Sequence, residues 1–252
     1  MNDHFVPTVL RFDSLPSTNT EAARHAAAGA PEGLVVVARE QTAGRGRRQR
    51  EWSSPRDAGL YLSVLLRPRL PAEEWPLLTL AAALAVSDAL AEACALRTDI
   101  KWPNDLLSGG RKLCGILAEM VESARGRACV LGVGVNLKAS AYPPELRASA
   151  TSVEEATGAR ADADSLIESL VRAVGRRCAR LQSEGGAEET RREWCARSSY
   201  AEGRRVRVRL EGESFQGVTR GLERDGALRV ETAGGEVRTV RAGDVSSLRE
   251  AE

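Results

Sequence analysis

Arg111-Lys112-Leu113-Cys114-Gly115-Ile116-Leu117-Ala118-Glu119-Met120-Val121 is followed, after a polar turn at Ser123 to Arg127, by Ala128-Cys129-Val130-Leu131-Gly132-Val133-Gly134-Val135-Asn136-Leu137. Two apolar, β-prone runs joined by a short polar turn read as a long antiparallel hairpin. The glycines inside the runs suit close backbone approach by a ligand. Lys112 follows Gly109-Gly110-Arg111 at the head of the first run. Most lysines sit at the surface, but this placement also suits a cation that points inward.

Upstream, Ile100-Lys101-Trp102-Pro103-Asn104-Asp105-Leu106-Leu107 begins as a short strand. Pro103 ends its pairing, because proline lacks an N–H and fixes φ. Asn104 and Asp105 therefore emerge at a strand end, where ligand-binding groups often lie. An Asn-Asp turn is an equally good local reading. Leu77 to Ala95 has helical spacing and an Ala/Leu-rich content, which predicts a core helix. In Gly59 to Leu66 the alternate residues Leu60, Leu62, Val64 and Leu66 share one face, which predicts a strand, and Pro68 and Pro71 stop it. Leu34 to Ala38 reads as a buried strand, and Val9 to Asp13 as a first strand. Between these two, a helix starts at Ser17-Thr18-Asn19 and stops near Gly29, with Ser17 or Thr18 as cap and Glu21 as capping-box acid.

Gln41-Thr42-Ala43-Gly44-Arg45-Gly46-Arg47-Arg48-Gln49-Arg50-Glu51-Trp52-Ser53 fits neither period. It reads as a long loop leaving the end of a strand. Its glycines permit close approach, and its guanidinium groups offer forked donors for phosphate or carboxylate. A solvated basic loop is the plainer reading. The charged, glycine-rich content also predicts a mobile segment that ligand would order.

Downstream, residues 138–150 read as loop and residues 151–157, 163–183 and 187–197 as helices. Leu166, Leu170, Val174, Cys178 and Leu181 share one side of the longest. From Gly203 the pattern changes to short alternating strands at Arg205 to Leu210, Phe215 to Thr219, Leu228 to Thr232 and Val237 to Val240. This predicts a small all-β barrel. The expected class is α+β: a mixed, mainly antiparallel sheet with flanking helices in residues 1–200, then a small C-terminal β-barrel in residues 203–252.

The 252 residues are 42% hydrophobic and 28% charged, with a net charge of +1, as in an ordinary globular protein. A nucleic-acid role would need a local patch, and ten basic against seven acidic residues over 203–249 do not supply one. The N-terminus, Met1 to His4, lacks a secretory pattern. The apolar run Leu77 to Val86 is too short to span a bilayer. Five cysteines without CxxC spacing suggest reduced thiols in a cytoplasmic protein. Only three of the 36 cations are lysine, at positions 101, 112 and 138, and asparagine is also scarce, at positions 2, 19, 104 and 136. Where these residues persist, their chemistry is a candidate requirement.

The Gly44 to Gln49 run lacks the third glycine and the following helix of a dinucleotide fingerprint, and no GK[ST] P-loop occurs. His4 and His25 are not near any acid–nucleophile pattern. What remains is arginine, lysine, asparagine, aspartate and backbone N–H. This is equipment for stabilising charge, as phosphoryl or nucleotidyl transfer requires.

Taken together, Ser17-Thr18-Asn19, the Gln41 to Ser53 stretch, Lys101 to Leu106, Arg111 to Leu117 and Gly132 to Asn136 resemble, in order, the motifs of the biotin protein ligase family. The resemblance implies a class II synthetase-like catalytic domain. It implies that biotin and ATP, with Mg²⁺, give biotinyl-5′-AMP, which then acylates a lysine of a biotin carboxyl carrier protein domain. Ser17, Thr18, Asn19, Gln41, Gly44, Arg45, Gly46, Arg47, Lys112, Gly115, Gly132 and Gly134 would hold biotin. Arg47, Arg48, Arg50, Trp52, Asn104, Lys112 and Asn136 would hold the nucleotide. Lys112, Arg47, Arg50 and Asp105 would be catalytic, with Asp105 near the metal or helping the carrier lysine lose its proton. Gln49 departs from the family's usual glycine. About sixteen residues precede Ser17, so the resemblance implies a ligase without the DNA-binding domain of some members, with no DNA or membrane partner. Homodimers are common in the family. Two rival readings are a lipoate or octanoyl ligase or transferase of the same fold, and a nucleotide- or nucleic-acid-binding module without turnover.

Overall fold

The computed structural model describes residues 5–123 and 125–248; Met1 to His4, Ala124 and residues 249–252 lie outside the described residues. A seven-stranded sheet organises the larger part. Its strands are β1 (Thr8–Phe12), β2 (Leu34–Ala38), β3 (Gly59–Leu66), β4 (Asp99–Lys101), β5 (Asp105–Ser108), β6 (Arg111–Val121) and β7 (Ala128–Asn136). Their spatial order is β1-β2-β3-β7-β6-β5-β4. Only β1 and β2 run parallel; every other neighbouring pair is antiparallel. The expected hairpin is β6–β7, paired from Cys114↔Val135 to Val121↔Ala128.

Strand alternation sends side chains to two separate cores. Val35, Val37, Leu60, Leu62 and Val64 pack with the helices α2 (Leu77–Cys94) and α4 (Ala163–Leu181) on one face. Leu34, Val36, Leu65 and Val130 meet Ala22 and Ala26 of α1 (Thr18–Ala27) on the other. α2 is 18 residues long and apolar enough to cross a membrane by length and composition, longer than the run read from sequence. It is 67% buried within the protein and serves as the core helix. The remaining helices are α3 (Val153–Thr157) and α5 (Gly186–Ala196). Trp194 of α5 is fully buried in the α2/α4 core.

Two expectations are corrected. Ser17 occupies the cap position of α1, yet its side chain makes no cap bond. Instead Gln41 Oε1 accepts from the Thr18 backbone N–H at 2.8 Å, so a residue from the next loop satisfies the free helix donor. Glu21 turns to Arg24 at 2.6 Å rather than back to the cap. The C-terminal part is a five-stranded antiparallel sheet of β8 (Glu202–Arg209), β9 (Ser214–Leu222), β10 (Leu228–Glu231), β11 (Val237–Val240) and β12 (Asp244–Ser247). Its order is β11-β10-β9-β8-β12, so β11 and β12 are edges and, among the described residues, no closed barrel forms. The sequence reading left β12 unassigned, because four residues with one buried apolar side chain, Val245, are too short a pattern.

The two sheets meet close to the β4–β5 turn. Trp102 of that turn is buried, and its indole N–H donates to Gly226 O at 3.1 Å. Emptying the Trp194 site should cost about 3–5 kcal/mol, as for other buried aromatic-to-alanine changes. Urea unfolding of Trp194→Ala is therefore expected to show a lower midpoint with an unchanged slope.

Candidate active site

One face of the β3–β7–β6 region has a gap in its side chains. Gly134 pairs with Tyr61 and Gly115, and Gly132 pairs with Ser63 and Leu117, so three glycines lie side by side on the face that α1 covers only in part. The gap they leave is the floor of a cleft. Its lining comes from the N-terminus of α1, the 41–52 segment, the β4–β5 turn, β6, β7 and Asp244 of β12.

The polar end of the cleft is a closed hydrogen-bond network. Thr18 Oγ1 lies 3.1 Å from Gln41 Oε1 and 2.8 Å from Ser63 Oγ. Ser63 Oγ donates to Asn19 Oδ1 at 2.6 Å. Asn19 Nδ2 donates to Leu117 O at 3.3 Å and to Glu119 Oε2 at 2.7 Å. Gln41 Nε2 donates to Ser54 Oγ at 2.8 Å. Ser17, Thr18, Asn19, Ser54 and Ser63 are all buried, and networks of this kind hold their members in fixed orientations. A Cβ on Gly132 would fall 2.2 Å from Asn19 Oδ1, so glycine is required there by close approach.

The 41–53 segment carries regular backbone pairing. Trp52 N donates to Gly44 O, Gly46 N donates to Arg50 O, and Arg45 and Glu51 form an antiparallel bridge. It is a narrow hairpin that folds over the glycine floor. Trp52 rests on that floor, with a Cβ on Gly134 falling 2.4 Å from its Nε1 and one on Gly115 3.0 Å from its ring. The Trp52 Nε1 is buried and has no hydrogen-bond partner among the described residues. At the hairpin tip Arg48 and Gln49 have φ of 57° and 61°. This left-handed region costs a side-chain-bearing residue about 1–2 kcal/mol, which explains why glycine would suit position 49.

Cations converge at the far end. Lys112 Nζ is 2.7 Å from Asp105 Oδ1 and 5.3 Å from the centre of the Trp52 ring. Lys101 Nζ lies 4.0 Å from the other Asp105 oxygen. Arg47 Nη1 donates to Asn104 Oδ1 at 3.3 Å, and Asn104 Nδ2 donates to Ile116 O at 2.7 Å. Burial pulls the Arg47 guanidinium below its ordinary pKa, while Asp244 and Asp105 act in the opposite direction. A half-buried cation with one neutral acceptor favours the arrival of an anion. Arg50 and, at 3.9 Å, Arg48 reach Asp244. Burial also pushes the Cys114 thiol, the immediate neighbour of Gly115, far above its usual range, so it is no nucleophile at neutral pH.

Most of the residues singled out from sequence meet in this one cleft. Three do not line it. Asn136 is 3% exposed, and its amide donates to Thr151 O at 3.0 Å and Lys112 O at 3.4 Å, so it braces the strand that carries Lys112. Gly44 is buried behind Trp52, where a Cβ would fall 2.3 Å from Trp52 O. Arg48 points to Asp244. Asp244 lines the cleft, and Ser63 and Glu119 hold its lining residues Thr18 and Asn19 from behind; none of the three was found by sequence reasoning. Ser63 carried a usable signal, being the one serine in a buried strand segment of otherwise aliphatic and aromatic residues. Among the described residues no group of three His, Cys, Asp or Glu could hold a metal ion.

The chain matches the biotin/lipoate A/B protein ligase family over residues 11–136 and the biotin protein ligase C terminal domain over residues 203–247. It is 37% identical over 242 residues to the bifunctional ligase/repressor BirA of Bacillus subtilis, covering 94% of this chain and 73% of that protein. It is 38% identical over 239 residues to the biotin–[acetyl-CoA-carboxylase] ligase of Mycobacterium tuberculosis, covering 92% and 86%. The biotin protein ligase of Aquifex aeolicus, solved in complex with biotin and ATP, superposes with a TM-score of 0.83 at 26% identity, over 97% of this chain and 100% of that one.

Gly132→Ala should push Asn19 out of its network at a cost of about 1–3 kcal/mol, the usual range for overpacking. Urea unfolding measures this, and an unchanged midpoint would show that Asn19 is held loosely.

Proposed function

We propose, for a chain that belongs to the biotin/lipoate A/B protein ligase family, that the cleft activates biotin with ATP as biotinyl-5′-adenylate and transfers the biotinyl group to a lysine of a biotin carboxyl carrier protein. One observation carries this reading: a buried polar network and two cations, Arg47 and Lys112, face the same glycine-floored cleft beneath an arginine-bearing hairpin. Such a cleft suits a ligand with a polar head, an apolar middle and an anionic tail.

In the first step the biotin carboxylate oxygen attacks the α-phosphorus of ATP, and the bond to pyrophosphate breaks. No side-chain nucleophile is needed. The obstacle is repulsion between anions, which fixed positive charge offsets most strongly in the transition state. Lys112 and Arg47 fill this role, with Arg50 assisting once it leaves Asp244. The Ser17-to-Asn19 turn and Gln41 hold the ureido end of biotin. Trp52 closes the hairpin over the adenylate and keeps water away from the mixed anhydride. Asn104 acts by holding Arg47, and Asn136 by bracing Lys112.

Asp105 is the carboxylate of the cleft that would hold a magnesium ion accompanying the nucleotide, and such an ion would supply further positive charge against the phosphates. Lys112 and Lys101 already flank Asp105, which fits an ion shared with phosphates better than a resident one. In the second step a neutral carrier lysine attacks the acyl carbon and AMP leaves. Asp105, a carboxylate lining the cleft, accepts the proton that the ammonium must lose. The five cysteines are all free thiols, which fits the reducing cytoplasm.

The test is pyrophosphate exchange into ATP by the purified chain. Exchange that depends on biotin and not on lipoate is expected, and Lys112→Ala should lower it by about 10²-fold or more, as loss of a transition-state charge partner does. Exchange with lipoate alone would make the chain a lipoate ligase, and exchange with neither acid would overturn the enzyme reading. Arg47→Gly should loosen the hairpin and let the adenylate escape, seen as biotin on the lysines of bystander proteins; labelling confined to the carrier would count against a lid.

A further inference from the structure

We infer that Glu119 is a positioning residue that couples closure of the arginine hairpin to the biotin-recognising end of the cleft; this rests on the ligase reading above. Glu119 lies on β6 beyond Gly115, the last residue that β5 pairs with, so its side chain stands on an open stretch of sheet at the rim of the cleft. Its Oε2 atom accepts two hydrogen bonds of 2.7 Å. One comes from Asn19 Nδ2 on α1, and the other comes from Arg45 Nη2 on the hairpin. A single carboxylate oxygen thus joins a wall of the cleft to its lid across sequence separations of 100 and 74 residues.

The two bonds differ in kind. Asn19 is 4% exposed, pressed against Gly132 and already bonded through Oδ1 to Ser63. Its Nδ2 also donates to Leu117 O at 3.3 Å, so the shorter, charge-assisted bond to Glu119 is the second hold on the amide and strengthens the orientation of the recognising network. Arg45 has no other side-chain hydrogen bond among the described residues, and its side chain is 46% exposed against 32% for Glu119. That half of the link is a partly solvated ion pair, weakened by salt and by loss of charge. Closing the hairpin brings the Arg45 charge onto the oxygen that orients Asn19. Conversely, a ligand that settles Asn19 fixes the anchor for Arg45. The charge of Glu119 serves the lid, and its acceptor oxygen serves the wall.

Two substitutions separate these halves. Glu119→Gln keeps an acceptor for Asn19 and removes the charge. Its KM for biotin should stay within about twofold of wild type, while escape of adenylate onto bystander lysines rises several-fold. Glu119→Ala removes both and should raise the biotin KM about tenfold as well, the scale of one charge-assisted bond to a buried group. Adenylate escape from the wild type should climb with ionic strength, and that from Glu119→Gln should not. A purely structural role would move KM and escape together in both variants and leave the salt dependence intact, and that pattern overturns the inference. Limited trypsin digestion of the ligand-free chain gives a readout independent of activity. Cleavage between Arg45 and Arg50 should be faster in Glu119→Gln than in wild type at low salt, and equal rates would sink the coupling. Wild type that shows no biotin-dependent exchange would remove the ligase reading, while the trypsin comparison would still decide whether Glu119 holds the hairpin.

Discussion

The site depends on a steric constraint: three neighbouring positions on β6 and β7 have no side chain. Gly115, Gly132 and Gly134 turn a stretch of packed sheet into a floor. Trp52 lies on two of these positions and Asn19 on the third, each within a distance that a methyl group would occupy. The hairpin lies flat because no side chain projects from Gly115 or Gly134 beneath Trp52. The helix N-terminus can approach because Gly132 leaves room for its amide. Glycine inside a strand ordinarily weakens it. Here the strands are central, paired on both sides and backed by the α2/α4 core, so the sheet tolerates the loss.

Over that floor the charges are local and matched. The chain as a whole carries +1, yet the cleft gathers Arg45, Arg47, Arg50 and Lys112. Three of these face carboxylates, Glu119, Asp244 and Asp105. Among the described residues Arg47 has only the neutral Asn104 oxygen as hydrogen-bond partner, and burial depresses its pKa. A ligand bearing phosphate meets one under-neutralised cation at once and can draw others from their carboxylates. The site is therefore primed for anions without the cost of isolated buried charges.

The second sheet contributes to this balance. Trp102 ties the β4–β5 turn to Gly226, and Asp244 reaches the hairpin through Arg50. The elements that bear Asn104, Asp105 and the arginines are thus held from both sides. The C-terminal segment is part of the site wall as well as a separate layer of structure.

Much of this was legible in the sequence, because the signals are local. The β6–β7 pair, the α2 core helix, the strand-ending Pro103 and the change of pattern at residue 203 each follow from periodicity or from one backbone property. The ordered motifs made the family resemblance, and the scarcity of lysine pointed to Lys101 and Lys112, which both flank Asp105. The open form of the C-terminal sheet, the Gln41 cap on α1 and the retreat of Asn136 behind Lys112 were not legible. Nor were Glu119 and Asp244, whose partners lie 100 and 194 residues away. The sequence by itself determined most of the strands (not the four-residue β12), which segment is the core helix and which chemical groups are available. Only the tertiary structure decided which of those groups meet, because a hydrogen bond or ion pair between single side chains far apart in the chain leaves no repeat, period or spacing in either segment.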